Sequence, residues 1–138
     1  MFVSKFESKI RLLISEMRII NATPHSIQIC NGQEIPASGY AVRLAMKYAN
    51  EGEIDGIQVE KVSIGEVIVF QNGQQLTKEE ARKVFEGNAV IVPLVVALQG
   101  AEILKRELGI KKVLVPATDK AKRDEKGRIV CVPSLLSF

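Results

Sequence analysis

The spacing of apolar residues changes along the chain, and this change predicts an α+β fold. Near the N-terminus, apolar side chains recur every three or four positions, at Phe6, Ile10, Leu13 and Ile14, as they do on one face of a helix. From residue 17 onward the apolar runs are short and β-like, with Gly, Pro and Asn between them. Helical spacing returns twice in the second half. We therefore expect a mixed α/β chain.

The N-terminal stretch predicts an amphipathic helix over Ser4 to Met17. Ser4 and Glu7 stand at capping-box spacing just before the apolar stripe. The stripe could pack on a sheet face or dock on a second copy of the chain, and the sequence leaves both open. We treat 1–17 as a helical extension of one domain over 1–138.

The first half predicts short, mostly antiparallel strands, because its connections are too short for crossover helices. The segment Ala41 to Tyr48 fits a strand or a helix, and the turn-rich residues after it favour a strand. Asn31-Gly32 and Asn72-Gly73 are turn dipeptides. The predicted strands are Arg18 to Asn21, Ser26 to Cys30, Ala41 to Tyr48, Ile57 to Val62 and Glu66 to Phe70.

The second half predicts one βαβ unit. A helix with a capping box at Thr77 and Glu80 should end at Gly87, ahead of a short apolar strand. The strand, helix and strand of the unit are Ala89 to Val92, Leu94 to Leu108 and Ile110 to Val115. Such a unit has parallel strands and a right-handed crossover. A final strand is predicted over Arg128 to Val132.

Composition and charge limit the function classes. The chain has 138 residues, 46% of them hydrophobic, which suits one domain with its own core. Its net charge of +3 is too small to call for nucleic acid, and aromatic residues for base stacking are scarce. There is no secretory signal or long apolar span, so we expect a soluble, cytoplasmic protein without membrane contact.

Metals and cofactors find no support in the sequence. One histidine and two distant cysteines do not make a zinc site, and phosphate-loop, dinucleotide-binding and hydrolase motifs are absent. Cys30 and Cys131 each lie within an apolar run, which predicts free buried thiols; a bridge, as in intracellular proteins of hyperthermophiles, is the alternative.

The candidate site begins at Asn21-Ala22-Thr23-Pro24-His25, where a proline stiffens the end of a strand. His25 is the only histidine, so any imidazole acid–base step must use it, and we take it as the catalytic candidate. Asn21 and Thr23 are candidate ligand-binding residues. The structural alternative is a capped turn, in which both satisfy backbone groups and His25 fills a polar gap.

The other ligand-binding candidates are predicted at the same edge. The carboxyl ends of parallel strands meet there, and ligands collect at such edges in α/β sheets. Arg43 and Arg123 are forked donors for phosphate or carboxylate, and Thr118 and Asp119 follow a predicted strand. Residues 111–128 hold seven basic and three acidic side chains, which indicates either a solvated loop or an anion-attracting rim.

Several short motifs resemble a family of small phage and actinobacterial proteins with an Asn-Leu-Thr-Pro-His motif. The match runs from Ile20 to His25, through Pro36-Ala37-Ser38-Gly39 with Arg43, to Val113-Leu114-Val115-Pro116 and Arg123-Asp124-Glu125-Lys126-Gly127-Arg128-Ile129. The chain departs from the family at Pro93, where the family has Ser, and at Lys111-Lys112, where it has an Arg-x-Asp lead. The resemblance implies a viral or mobile-element origin, with the host cytoplasm as location, and no known activity.

Together these features predict a small α/β protein that binds a phosphorylated small ligand such as a nucleotide. Whether it also acts on that ligand as an enzyme is left open by the sequence. The alternative is a non-catalytic structural or assembly protein. A homo-oligomer is expected, and no cofactor.

Overall fold

The computed structural model describes residues 17–138, so the predicted helix over Ser4 to Met17 lies outside the described residues except for Met17. The strands are β1 (Ile19–Asn21), β2 (Ile27–Gln28), β3 (Glu34–Ile35), β4 (Tyr40–Ile54), β5 (Ile57–Gln71), β6 (Gln74–Gln75), β7 (Ala89–Ile91), β8 (Lys112–Pro116), β9 (Lys122–Arg123), β10 (Ile129–Cys131) and β11 (Leu135–Ser137). The helices are α1 (Lys78–Phe85) and α2 (Leu94–Leu108), with a 3₁₀ turn at Thr118–Lys120.

A four-stranded sheet in the order β1-β7-β8-β11 organises the structure. β7 pairs with β8 in parallel, and α2 connects them, so the βαβ unit is present as predicted. β1 also pairs with β7 in parallel, whereas the sequence had placed it among antiparallel strands. Among the described strands of this sheet, only β11 runs antiparallel. The carboxyl ends of β1, β7 and β8 therefore meet at one edge.

Each face of this sheet has its own apolar core, because side chains of a strand alternate between faces. Val90, Val113 and Val115 share one face with Phe85 of α1 and Leu104 of α2. The opposite face carries a smaller cluster under the β2–β3 hairpin. Its members are Ala89, Ile91, Leu114, Met17, Ile27, Ile35 and Leu135.

Both helices begin and end at residues that the sequence marks. At α1, the Thr77 hydroxyl accepts a hydrogen bond from the Glu80 N–H, and the Thr77 N–H donates to the Glu80 carboxylate. α2 follows Pro93 and ends at Gly109, whose φ of 69° is left-handed and favours glycine. These local signals explain why the two helices could be predicted.

β4 and β5 form a long antiparallel ribbon, with β6 as a short third strand at its base, rather than the short strands that the sequence predicted. β4 and β5 each have 15 residues, and they pair antiparallel with register shifts after Ala45 and after Asn50. The predicted break before Ile57 is present as the turn at Asp55-Gly56, whereas Asn50 to Gly52 and Gly65 are irregularities inside continuous strands. The base of the ribbon packs on α2, where Leu44 lies so close to Gly100 that an added Cβ would come within 2.7 Å of it.

Cys30 and Cys131 are joined in a disulfide, so the prediction of two free buried thiols is wrong. A parallel bridge between Ile29 and Val132 brings the two segments together across 101 residues of sequence. Cys30 is exposed and Cys131 half-buried. Within the described residues, no helix has the length and apolar character needed to cross a membrane.

Candidate functional site

The loop after β1 is built around the side chain of Asn21, which is 1% exposed. Its Nδ2 donates to the carbonyl oxygens of His25, at 2.8 Å, and Ile35, at 3.1 Å. Its Oδ1 accepts from the backbone N–H of Thr23, at 3.0 Å, and from the Thr23 hydroxyl. Every hydrogen-bonding position of the amide is therefore used within the loop.

A second motif, Pro36-Ala37-Ser38-Gly39, forms hydrogen bonds with the same residue. The Ser38 N–H and hydroxyl both donate to the backbone carbonyl of Asn21, at 3.0 and 2.7 Å. Gly39 follows with a φ of 87°, and a Cβ there would meet the Asn72 side chain at 2.6 Å. The Asn-Ala-Thr-Pro-His and Pro-Ala-Ser-Gly motifs thus form one folded unit. Sequence reasoning missed Ser38, although its place in the second motif was the available signal.

A hollow of about 670 Å³, here called the strand-end hollow, lies at the carboxyl ends of the three parallel strands. Its walls are the residues that follow β1 and β7, the end of β8 with Thr118, β2, and β10 with Val132. Thr23, His25 and Thr118 all line it, so the structure brings these three predicted residues together. The Cys30–Cys131 disulfide joins the wall formed by residues 23–28 to the wall formed by residues 129–132.

The lining of the strand-end hollow is largely apolar. Ile27, Leu94, Ile129 and Val130 contribute side chains to it, and none of its described lining residues is Lys or Arg. His25 itself is exposed. A ligand here would place a flat or apolar group against the wall and find its polar partners at His25, the threonines and the backbone.

A second hollow, of about 620 Å³, lies between α2 and the base of β4; we call it the helix–ribbon hollow. Thr23, Pro24 and Pro93 line both hollows, so the two adjoin at the start of α2. Arg43 lines the helix–ribbon hollow, with its guanidinium carbon 5.3 Å from the centre of the Phe70 ring. The one candidate arginine near the site therefore lies beside the strand-end hollow, not in it.

Asp119 and Arg123 line neither hollow. Arg123 donates to the carbonyl of Gly127, at 2.8 Å, in the turn between β9 and β10. Asp124, which was not a candidate, organises this turn by accepting from the N–H groups of Lys126 and Arg128, both at 2.9 Å. These bonds, that of Arg128 first, hold the pKa of Asp124 below its usual value. The Arg-Asp-Glu-Lys-Gly-Arg motif is a hairpin turn.

Metal binding has no built site in the described part of the chain, where no three His, Cys, Asp or Glu side chains cluster. Comparison with protein-family models, with curated proteins and with solved structures found no significant match to this chain. The resemblance to the phage and actinobacterial family stays a prediction.

Proposed function

We propose that this protein binds a small phosphorylated ligand, such as a nucleotide, at the carboxyl edge of its parallel strands. The observation that carries the proposal is the strand-end hollow, which the residues following all three parallel strands line together. Its volume of about 670 Å³ falls within the range of small-molecule sites. The apolar wall suits a base or another flat group.

The phosphate would lie where the two hollows adjoin. The start of α2 lies at this point, because Pro93 and Leu94 line the strand-end hollow together with Thr23 and Pro24, and no acidic side chain lies in the first turn of the helix. Helix N-termini favour anions. Arg43 adds a positive charge nearby, with its guanidinium over the Phe70 ring on the face of β4 opposite Val42. In this arrangement Asn21 positions the loop, while Thr23, His25 and Thr118 contact the ligand. If the ligand is chemically changed, His25 is the group that can move a proton.

A thermal-shift screen against nucleotides and cyclic oligonucleotides tests the proposal, with His25→Ala and Arg43→Gln as variants. A ligand at 100 times its Kd should stabilise the wild type by about 2.7 kcal/mol. Arg123→Gln is the matched control, because Arg123 lines neither hollow. We expect the shift to fall in both variants and persist in the control. No shift with any compound would refute the proposal.

A second candidate function, a homo-oligomeric assembly component, is favoured by one specific observation. The outer half of the ribbon, from Met46 to Ser63, is exposed at every residue except Val59, yet carries large apolar side chains. Sedimentation equilibrium over a range of protein concentrations tests for the oligomer. A monomer at every concentration would refute this candidate.

The viral origin and the cytoplasmic location stay predictions. Disulfides persist mainly in oxidising compartments, so the Cys30–Cys131 bridge does not by itself favour the cytoplasm. The candidate site requires neither.

A further inference from the structure

One face of the outer ribbon is apolar and the other polar. Met46 pairs with Ile64, and Tyr48 with Val62, so these four side chains share a face. The intervening pairs, Lys47 with Ser63 and Ala49 with Lys61, lie on the other face. The ribbon is therefore amphipathic beyond the point where it leaves the helices.

The apolar face continues a buried one. Val42 and Leu44 precede Met46 and Tyr48 on the same face of β4, and there they pack toward α2. Past α2 nothing in the described part of the chain covers this face: Tyr48 is 64% and Val62 54% exposed. A folded chain that leaves such a stripe in water presents a surface for a partner.

We infer that the occupant of this face is the same face of a second copy, with the two ribbons crossing antiparallel about a two-fold axis. This inference rests on the second of the proposed functions, homo-oligomeric assembly. A two-fold contact uses one surface twice, so it needs only that the apolar face complement itself.

The distribution of charge along the ribbon favours one relative direction of the two ribbons. The tip, residues 50–60, carries Glu51, Glu53, Asp55 and Glu60 and no basic residue. The part nearer the helices carries Arg43, Lys47 and Lys61 against Glu66. An antiparallel crossing brings each acidic tip to the level of its partner's basic part; Lys47 and Lys61 lie on the polar face, so this attraction acts around the rim of the contact and not inside it. A parallel crossing would put four carboxylates beside four others, which like-charge repulsion opposes.

The contact is between faces and not between strand edges. An edge-to-edge pairing would need an uninterrupted row of free backbone groups along β4 or β5. Each strand is instead broken by a register shift, at Asn50–Gly52 on β4 and at Gly65 on β5, and charged side chains lie along both. Irregularities and charges of this kind oppose edge pairing.

The ribbon face alone is too small for a stable dimer. Nine residues at about 3.3 Å each give a length of about 30 Å, and two strands that each take up about 4.8 Å give a width of about 10 Å. The face is therefore roughly 300 Å². A stable contact buries about 800 Å² on each partner. The first turns of α2 supply adjacent apolar surface, since Val95 is 62% and Leu98 66% exposed and Val95 lines the same hollow as Met46. The dimer contact should therefore extend from the ribbon onto α2.

Sedimentation equilibrium of the full chain tests the surface, with Tyr48→Glu on the apolar face and Ala49→Glu on the polar face as its matched control. Val62→Lys is a second apolar-face variant. We expect the dimer Kd to rise about tenfold or more in both apolar-face variants and to change little in the control. Circular dichroism melts of each variant check that the fold is kept.

Spin labels on single introduced cysteines test the direction, because the two native cysteines are already bridged. In an antiparallel crossing of residues 46–54, centred near residue 50, labels at Glu53→Cys should lie about 20 Å apart along the ribbon, because each is three residues from the axis at about 3.3 Å per residue, and labels at Ala49→Cys should lie much closer. Tips in mutual contact would overturn the antiparallel arrangement. A dimer that none of the variants weakens would overturn the ribbon surface while leaving assembly standing. A monomer throughout would overturn both.

Discussion

Removing the Cys30–Cys131 disulfide should lower the free energy of unfolding by up to about 4.7 kcal/mol. The perturbation is the double variant Cys30→Ser/Cys131→Ser. The bridge spans 101 residues of sequence, and the entropy that a cross-link removes from the unfolded chain grows with the logarithm of that length, which gives about 4.7 kcal/mol for a loop near 100 residues. Measured losses for native bridges fall at about 2–5 kcal/mol.

The loss of stability should come from the unfolded chain, which loses a constraint, because backbone hydrogen bonds also hold the two cysteine segments together in the folded state. The Cys30 N–H donates to the carbonyl of Val132, and the Val132 N–H donates to that of Gln28, both at 2.9 Å. These backbone bonds survive the substitution, so the two walls of the strand-end hollow should stay together in the folded variant. Without the cross-link the unfolded chain exposes more surface, so the free energy of unfolding should fall more steeply with urea concentration.

Urea unfolding followed by circular dichroism measures both quantities, with reductant added to the wild type as an independent route to the same state. A thiol assay of the unfolded, unreduced wild type should find no free thiol. Reductant should leave the double variant unchanged. If the variant and the wild type unfold at the same free energy, the long-loop reasoning is refuted; two free thiols would instead show that the bridge is not formed.

Three further predictions concern local hydrogen bonds. Asn21→Ala should destabilise the fold by about 2–4 kcal/mol in urea unfolding, because it leaves the carbonyls of His25 and Ile35 without their donor; an unchanged midpoint would contradict the assignment of Asn21 as the organiser of its loop. Thr77→Ala should cost about 1 kcal/mol through loss of the helix cap. The Thr77 N–H donates to the Glu80 carboxylate and lowers its pKa in the folded state. The ionised carboxylate therefore stabilises the folded state at any pH above the pKa that Glu80 has in the unfolded chain. This stabilisation is lost as the pH falls through the lower pKa of the folded state. Wild type should therefore lose more stability in acid than Glu80→Gln; parallel pH profiles would contradict this.

Local signals made the second half of the chain predictable, and tertiary contacts made parts of the first half unpredictable. The strands and helix of the βαβ unit carry their own caps, turns and continuous apolar runs. The ribbon does not, because a glycine such as Gly65 reads equally as a break or as a bulge inside a strand. The pairing of Cys30 with Cys131 depends on a contact 101 residues apart in sequence, which no local pattern encodes.

The candidate site residues divide into those that strand order brings to one edge and those that local contacts hold elsewhere. His25, Thr23 and Thr118 meet because each follows a parallel strand, and strand order alone brings such positions to one edge. Arg123 resembles a ligand-binding residue in sequence, yet it donates within its own hairpin turn. A charged residue near a predicted edge is thus weaker support for a site than a polar residue directly after a parallel strand.

Burial separates the residues that build the site from those that can contact a ligand. Asn21 is 1% exposed and its amide is fully bonded, so it has no free group to offer. His25 is exposed, and its backbone carbonyl, not its ring, accepts the bond from Asn21. The loop therefore fixes the backbone of His25 while leaving the imidazole available to the strand-end hollow. If the proposed site binds a ligand, loss of Asn21 should therefore affect stability, whereas loss of the His25 ring should affect binding.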